Sequence, residues 1–237
     1  MLFRSGYKAG GFNPTSPADQ TSYGSETTWS YEIGVKSGWL DDRLALNVAA
    51  YDVQWDDLQL DTPNPLIPGR FFIANAGDAT SRGAEVELRG LIQPGWSLFG
   101  AAGYNDPHFD SGSATQGQNV SGNVLPYAPQ TTWNVGSELV RDVGSSLTFF
   151  GRAEVVGYGR YFYDATNAQN QASYFLADFR LGLAGARPFA WRIDGWMRNA
   201  LGENYVPLAF PFPLAASGYV GESGAPRTFG LTLAIAL

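Results

Sequence analysis

The chain has 237 residues with 22 acidic and 15 basic side chains, a formal net charge of −7, and no basic stretch of the kind that grips nucleic acid. Only 16% of residues are charged, and 29 Gly, 12 Tyr, 15 Phe and 7 Trp make the chain rich in strand formers, turn formers and interface aromatics. The absence of cysteine excludes disulfide scaffolds and cysteine metal sites, and neither a long 3.6-residue apolar period nor an apolar run of about eighteen residues occurs.

The elements that remain are strands. Residues 2 to 10 alternate, with Phe3, Ser5 and Tyr7 against Arg4 and Lys8. This opening has neither the apolar core nor the cleavage site of a signal peptide, so the chain is expected to begin inside a fold, as a fragment. A Pro-, Ser- and Gly-rich loop over 11 to 27 precedes a strand at 28 to 37, where Trp29, Tyr31, Ile33 and Val35 oppose Glu32 and Lys36. In the strand at 43 to 55 the apolar row changes phase, from Leu44, Leu46 and Val48 to Tyr51, Val53 and Trp55, which predicts a β-bulge near Ala49 and Ala50.

After a proline-rich loop at 56 to 69, a strand is expected from Arg70 to Gly90, with Val86 and Leu88 outward and Glu85, Glu87 and Arg89 inward. Five further strands follow, at 96 to 104, 130 to 140, 146 to 158, 172 to 184 and 189 to 199. The last strand, Arg227 to Leu237, carries Phe229, Leu231, Leu233, Ile235 and Leu237 at strict period two. A tilted strand of about ten residues with one apolar face is what crosses a bilayer's hydrocarbon layer. The connections alternate long and short along the chain, as long extracellular loops and short periplasmic turns do. A soluble sandwich has no reason to segregate its loops by length or to turn Trp, Phe and Leu outward on consecutive strands. The fold class predicted is all-β, an antiparallel transmembrane β-barrel.

Five segments then resemble, in order, the C-terminal barrel region of TonB-dependent outer-membrane receptors. They are Ser5–Asn13 (SGYKAGGFN), Glu32–Lys36 (EIGVK), Leu46–Gln59 (LNVAAYDVQWDDLQ), Asn75–Glu87 (NAGDATSRGAEVE) and Arg227–Gly230 (RTFG). Because barrels of that class have about 22 strands around a plugged lumen, the resemblance implies that residues 1 to 237 are a partial barrel domain holding about the last ten strands. The plug domain and earlier strands would be absent. It also implies a Gram-negative outer-membrane location, contact with outer-membrane lipid, and energy-coupled uptake of a scarce nutrient such as an iron siderophore. The partners implied are a plug of the same full-length chain, the TonB complex reached through the missing N-terminal part, and a small-molecule ligand, with no enzymatic activity. One departure is the end at Leu237, where such barrels usually carry an aromatic residue. The alternative is a passive porin-like or structural barrel, and a third reading is a soluble β-rich carbohydrate-binding module.

No catalytic, cofactor or metal site is expected. The inward charges Arg4, Lys8, Glu32, Lys36, Asp52, Glu85, Glu87, Arg89, Glu138, Arg152, Glu154, Asp178, Arg180, Arg192, Asp194 and Arg198 are of both signs, which suits a wet lumen with cross-strand pairing. His108, the single histidine, lies between Asp106 and Asp110 in what reads as a solvated loop, without a second His or Cys for a metal. The long loops, taken at these boundaries, hold ten Asp or Glu and one Arg, so the negative charge resides there. They also hold many aromatics, of which Tyr161 and Tyr163 fit an interface girdle or a binding mouth equally. Tyr205, Phe210 and Phe212 are the expected substrate contacts, because Asn204 to Leu214 combines three aromatics with three prolines that stiffen the loop. Acidic, aromatic loops favour neutral, cationic or apolar ligands over polyanions.

Overall fold

The computed structural model describes residues 1–187 and 189–236. Ten long strands form one antiparallel sheet: β1 (Leu2–Lys8), β2 (Glu26–Trp39), β3 (Leu44–Asp56), β4 (Ala79–Gln93), β5 (Trp96–Phe109), β6 (Thr131–Val143), β7 (Leu147–Tyr158), β8 (Tyr174–Gly185), β9 (Ala190–Arg198) and β10 (Thr228–Ala236). Each bonds to its neighbours in sequence. Among the described residues β1 pairs only with β2 and β10 only with β9, so the sheet has two open edges. Leu237, which closes the apolar row in the sequence, lies outside the described residues.

The registers carry the alternation across the sheet. Val35, Val48, Val86, Ala102 and Trp133 stand in one row. Phe179, Met197 and Phe229 stand in another on the same face. These side chains are exposed, from Met197 at 37% to Phe229 at 76%, and so wide an apolar surface faces lipid rather than water. In β2 the outward row starts at Trp39 and ends at Trp29, about 33 Å along the strand. Tilted by about 40°, that spans about 25 Å, the height of a barrel's apolar band with aromatics at both rims.

The opposite, inner face is ionic. Arg89 lies 3.7 Å from Glu138, Glu138 pairs with Arg152, and Arg152 meets Glu154 at 2.6 Å. Farther along, Asp194 accepts from Arg180 at 2.7 Å and from Arg192 at 2.9 Å. The expected cross-strand pairing is therefore present. Arg152 and Arg192 also lie over the rings of Phe99 and Phe150, at 4.5 and 4.0 Å from their centroids. These rings lie flat on the wall because glycine faces them. A Cβ at Gly136 would collide with Phe99, at Gly182 with Phe150, and at Gly230 with Trp196.

Three expectations are corrected. The strand expected from Arg70 starts at Ala79, and Phe71–Asn75 instead pairs with Gln59–Pro63 as a hairpin inside the loop. No bulge interrupts β3, whose register is continuous against both neighbours; the register shift falls between Leu91 and Gln93. The phase change in β3 is instead a change of environment along one regular strand. Below Ala49 the apolar row faces outward to lipid; above it Tyr51, Val53 and Trp55 face inward, where Trp55 packs into a buried loop core. For the same reason Asp52 is not a lumen residue. It shares the outer face with Tyr31 and Arg82, and pairs with Arg82 at 2.6 Å at the level of Tyr31, within the aromatic rim of the apolar band.

Candidate functional site: the loop cap

Short turns join the strands at one end, with Gly95 and Gly144 at positive φ, while the five long connections all leave the other end. Each long loop contains its own small hairpin. They are Gly11–Phe12 with Ser22–Tyr23, Gln59–Pro63 with Phe71–Asn75, Ala114–Thr115 with Gln118–Asn119, Tyr161–Phe162 with Asn170–Gln171, and Leu208–Pro211 with Tyr219–Glu222.

The hairpins are bonded to one another. The Asn13 amide donates to Ile73 O at 2.9 Å and accepts from Ile73 N at 3.0 Å, joining the first loop to the second. Ala114 N donates to Ala76 O at 2.9 Å, which brings in the third. Asn167 repeats the Asn13 device, accepting from Val124 N and donating to Val124 O, both at 2.8 Å, and so joins the fourth loop to the third. Tyr161 and Tyr163 both donate their hydroxyls to Val206 O at 3.0 Å, and Tyr127 donates to Ala209 O, which fixes the fifth. In this way every long loop belongs to a single cap.

Two buried cores lie under it, both against inward positions of the sheet. The first gathers Leu58, Ala76, Ala79, Phe109, Val120 and Ala165, with Trp55 packed on it. The second is aromatic, with Tyr161, Tyr163, Tyr174 and Ala209 buried and Tyr158 and Tyr205 against them. Tyr174 stacks between Tyr158 and Tyr205, at centroid distances of 5.1 and 4.7 Å. Burial pushes the hydroxyls of Tyr161, Tyr163 and Tyr127 above the ordinary tyrosine range; Tyr219 is raised by burial and by its 2.8 Å bond to the Asp164 carboxylate.

The structure separates the three expected contact residues. Tyr205 is half-buried, stacked on Tyr174 beneath the cap. Phe210 lies on the last hairpin and meets Phe71 of the second loop edge to face at 5.2 Å, while Phe212 lies over Gly69 near the tip of that same loop. Phe71 was missed by sequence reasoning because it reads as the start of a long strand. Its only legible signal was the Gly69-Arg70 break before it. Tyr161 and Tyr163, at 6% and 9% exposure, are neither girdle nor mouth but the glue between loops. His108 lies on β5 rather than in a loop, its ring nitrogens 3.8 Å from the Asp106 carboxylate and 3.7 Å from that of Asp110.

At the observed strand boundaries the loop charge is milder than the sequence suggested. Asp19, Asp57, Asp61, Asp78, Asp110, Asp164, Glu203 and Glu222 stand against Arg70, Arg160 and Arg227, eight acids less three bases, or −5. The acids reassigned to strands, such as Glu26, include the buried partner of Lys8.

A sheet with a lipid-facing outer surface, an ionic inner surface, short turns at one end and a capped mouth at the other is the wall of a large outer-membrane barrel. The TonB-dependent receptor-like β-barrel family model matches residues 3–200, and the chain belongs to that family, whose members reside in the outer membrane of Gram-negative bacteria. The ferric-pyoverdine 358 receptor of Pseudomonas putida is 28% identical over 235 residues, an alignment covering 94% of this chain and 26% of the relative. The crystal structure of the ferric yersiniabactin uptake receptor of Yersinia pestis superposes with a TM-score of 0.80 at 24% identity, over 98% of this chain and 33% of that one. The ferric preacinetobactin receptor of Acinetobacter baumannii gives 0.72 at 17% identity, again over 98% and 33%. Both structural likenesses establish the fold. The chain spans about a quarter of the curated relative's length and about a third of each solved receptor's.

Proposed function

We propose that residues 1–237 are a partial barrel domain of an energy-coupled outer-membrane receptor that takes up a ferric siderophore or related chelate, acting as a receptor rather than an enzyme. The observation that carries this is the family match over β1 to β9, joined to a mouth covered by bonded loops. The relatives' roles as receptors for ferric pyoverdine, ferric yersiniabactin and ferric preacinetobactin support the substrate class. In this reading the open edges of β1 and β10 pair with the remaining strands of a larger barrel, because unpaired backbone groups are costly in lipid. The ionic inner wall contacts a plug of the same chain, and TonB engages elsewhere in the full-length protein. Phe210 and Phe212 are the ligand contacts of the last loop, with Tyr205 holding that loop in place from below.

The test is uptake of radioactive ferric chelates by iron-starved cells carrying the full-length receptor as their sole route. Saturable uptake that disappears when the TonB complex is removed is expected. Uptake that persists without energy coupling would instead make the barrel a passive one.

A further inference from the structure

The last hairpin, Leu208–Pro211 with Tyr219–Glu222, is two-faced. Ala209, paired with Gly221, turns to the tyrosine core and is 5% exposed; on the other face Leu208 and Val220 remain 45% and 42% exposed. Phe210, paired with Val220, shares that outward face and meets Phe71. Leu66 and Ile67, at the tip of the second loop, are exposed as well. A water-facing hairpin would place polar residues here, and a contiguous apolar surface away from the lipid band marks a binding surface. Glu222 pairs with Leu208 on the same face and Arg70 directly precedes Phe71, within a cap whose eight acids outnumber its three bases.

We infer that the surface formed by Phe71, Phe210, Phe212, Leu208 and Val220, with Glu222 at its edge, selects iron chelates that carry an aromatic ring and little net negative charge. The inference rests on the receptor reading above and narrows its ligand class. Flat apolar groups gain ring contact with Phe71 and Phe210, whereas a polyanionic chelate approaches carboxylates with few cations to offset them. Phe212 and the prolines at 211 and 213 stiffen the platform, so little ordering cost is added on binding.

The test is a binding titration of the full-length receptor against three ferric probes: an aryl-bearing phenolate chelate of low net charge, a neutral aliphatic trihydroxamate, and a trianionic tris-catecholate. The phenolate chelate is expected to bind most tightly. Phe71→Ala with Phe210→Ala should weaken it about tenfold, the effect of losing roughly 1.4 kcal/mol of ring contact, and leave the trihydroxamate little changed. Glu222→Gln, an exposed and isosteric change, should narrow the gap between the phenolate chelate and the tris-catecholate. Equal or tighter binding of the tris-catecholate, or an unchanged phenolate affinity in the double variant, overturns the selectivity while leaving the receptor reading in place. If no ferric probe binds and none is taken up, the receptor reading fails and the inference with it.

Discussion

Asp194 and Val206 show how single groups hold this wall and its cap. The Asp194 side chain is fully buried and accepts from two arginines on neighbouring positions, so Asp194→Ala leaves two guanidinium groups facing one another without their shared partner. Because both arginines are nearly half exposed, the expected loss is about 1–3 kcal/mol rather than that of a fully buried pair. It should appear as a lower temperature for conversion of the folded to the unfolded gel band of the full-length protein, with Asp194→Asn intermediate. The Val206 carbonyl accepts two tyrosine hydroxyls at once, and those tyrosines are held neutral by burial. A tyrosine whose pKa is raised on folding contributes stability below the unfolded value of about 10, and this is lost as pH rises beyond it toward the folded pKa. The cap should therefore loosen above about pH 10 while the sheet persists. Tyrosinate absorbance together with limited proteolysis checks this: cleavage in 159–173 and 199–227 should rise with ionisation, and in Tyr161→Phe with Tyr163→Phe it should already be raised at neutral pH.

Each strand serves two environments along its length. The β3 phase change at Ala49–Ala50 marks where the apolar row passes to the inward side, which ends with Trp55 packed beneath the loops. The close ring-on-glycine contacts impose a second constraint on the strands. At Gly182 a methyl group would meet Phe150, the Ile193 carbonyl and Asp194 together, so Gly182→Ala should cost more than about 2 kcal/mol or prevent folding. Gly90, whose Cβ would lie 3.7 Å from Leu44 Cδ1, should accept alanine with little change. The same gel-shift assay compares the two, and equal tolerance would show that the ring contacts do not matter. Topology is tested with single cysteines at Ala216 and Ser145, both exposed, the first in a long loop and the second in a short turn. An impermeant thiol reagent on whole cells should label Ala216→Cys and not Ser145→Cys.

Among the described residues the sheet has ten strands and two unpaired edges, and lipid leaves no water to satisfy their backbone groups. Cells expressing residues 1–237 alone should accordingly show no energy-dependent uptake of any ferric chelate, and the product should be aggregated or degraded rather than stably inserted. Uptake by these residues by themselves would mean that the ten strands close without others. The cap tells a related story at this scale. Its two cores draw on all but the first of the five long loops, and that loop is tied in through Asn13, so deleting one loop should raise proteolysis of its neighbours as well.

Period-two alternation determined the ten strands and, outside the upper part of β3, their two faces, because in a sheet the side-chain direction is fixed by the backbone pleat and needs no knowledge of what lies opposite. The alternation of long and short connections was equally legible, since loop length is a count along the chain. What the sequence could not convey is which loops touch. Phe71 and Phe210, Asn13 and Ile73, and Tyr163 and Val206 are far apart in the chain and meet only when the sheet brings the loop bases to one end. The phase change in β3 shows the same limit within one strand. Its residues announced a break in pattern, but a bulge and a change of surroundings leave the same trace in sequence, and only the continuous register against β2 and β4 decided between them.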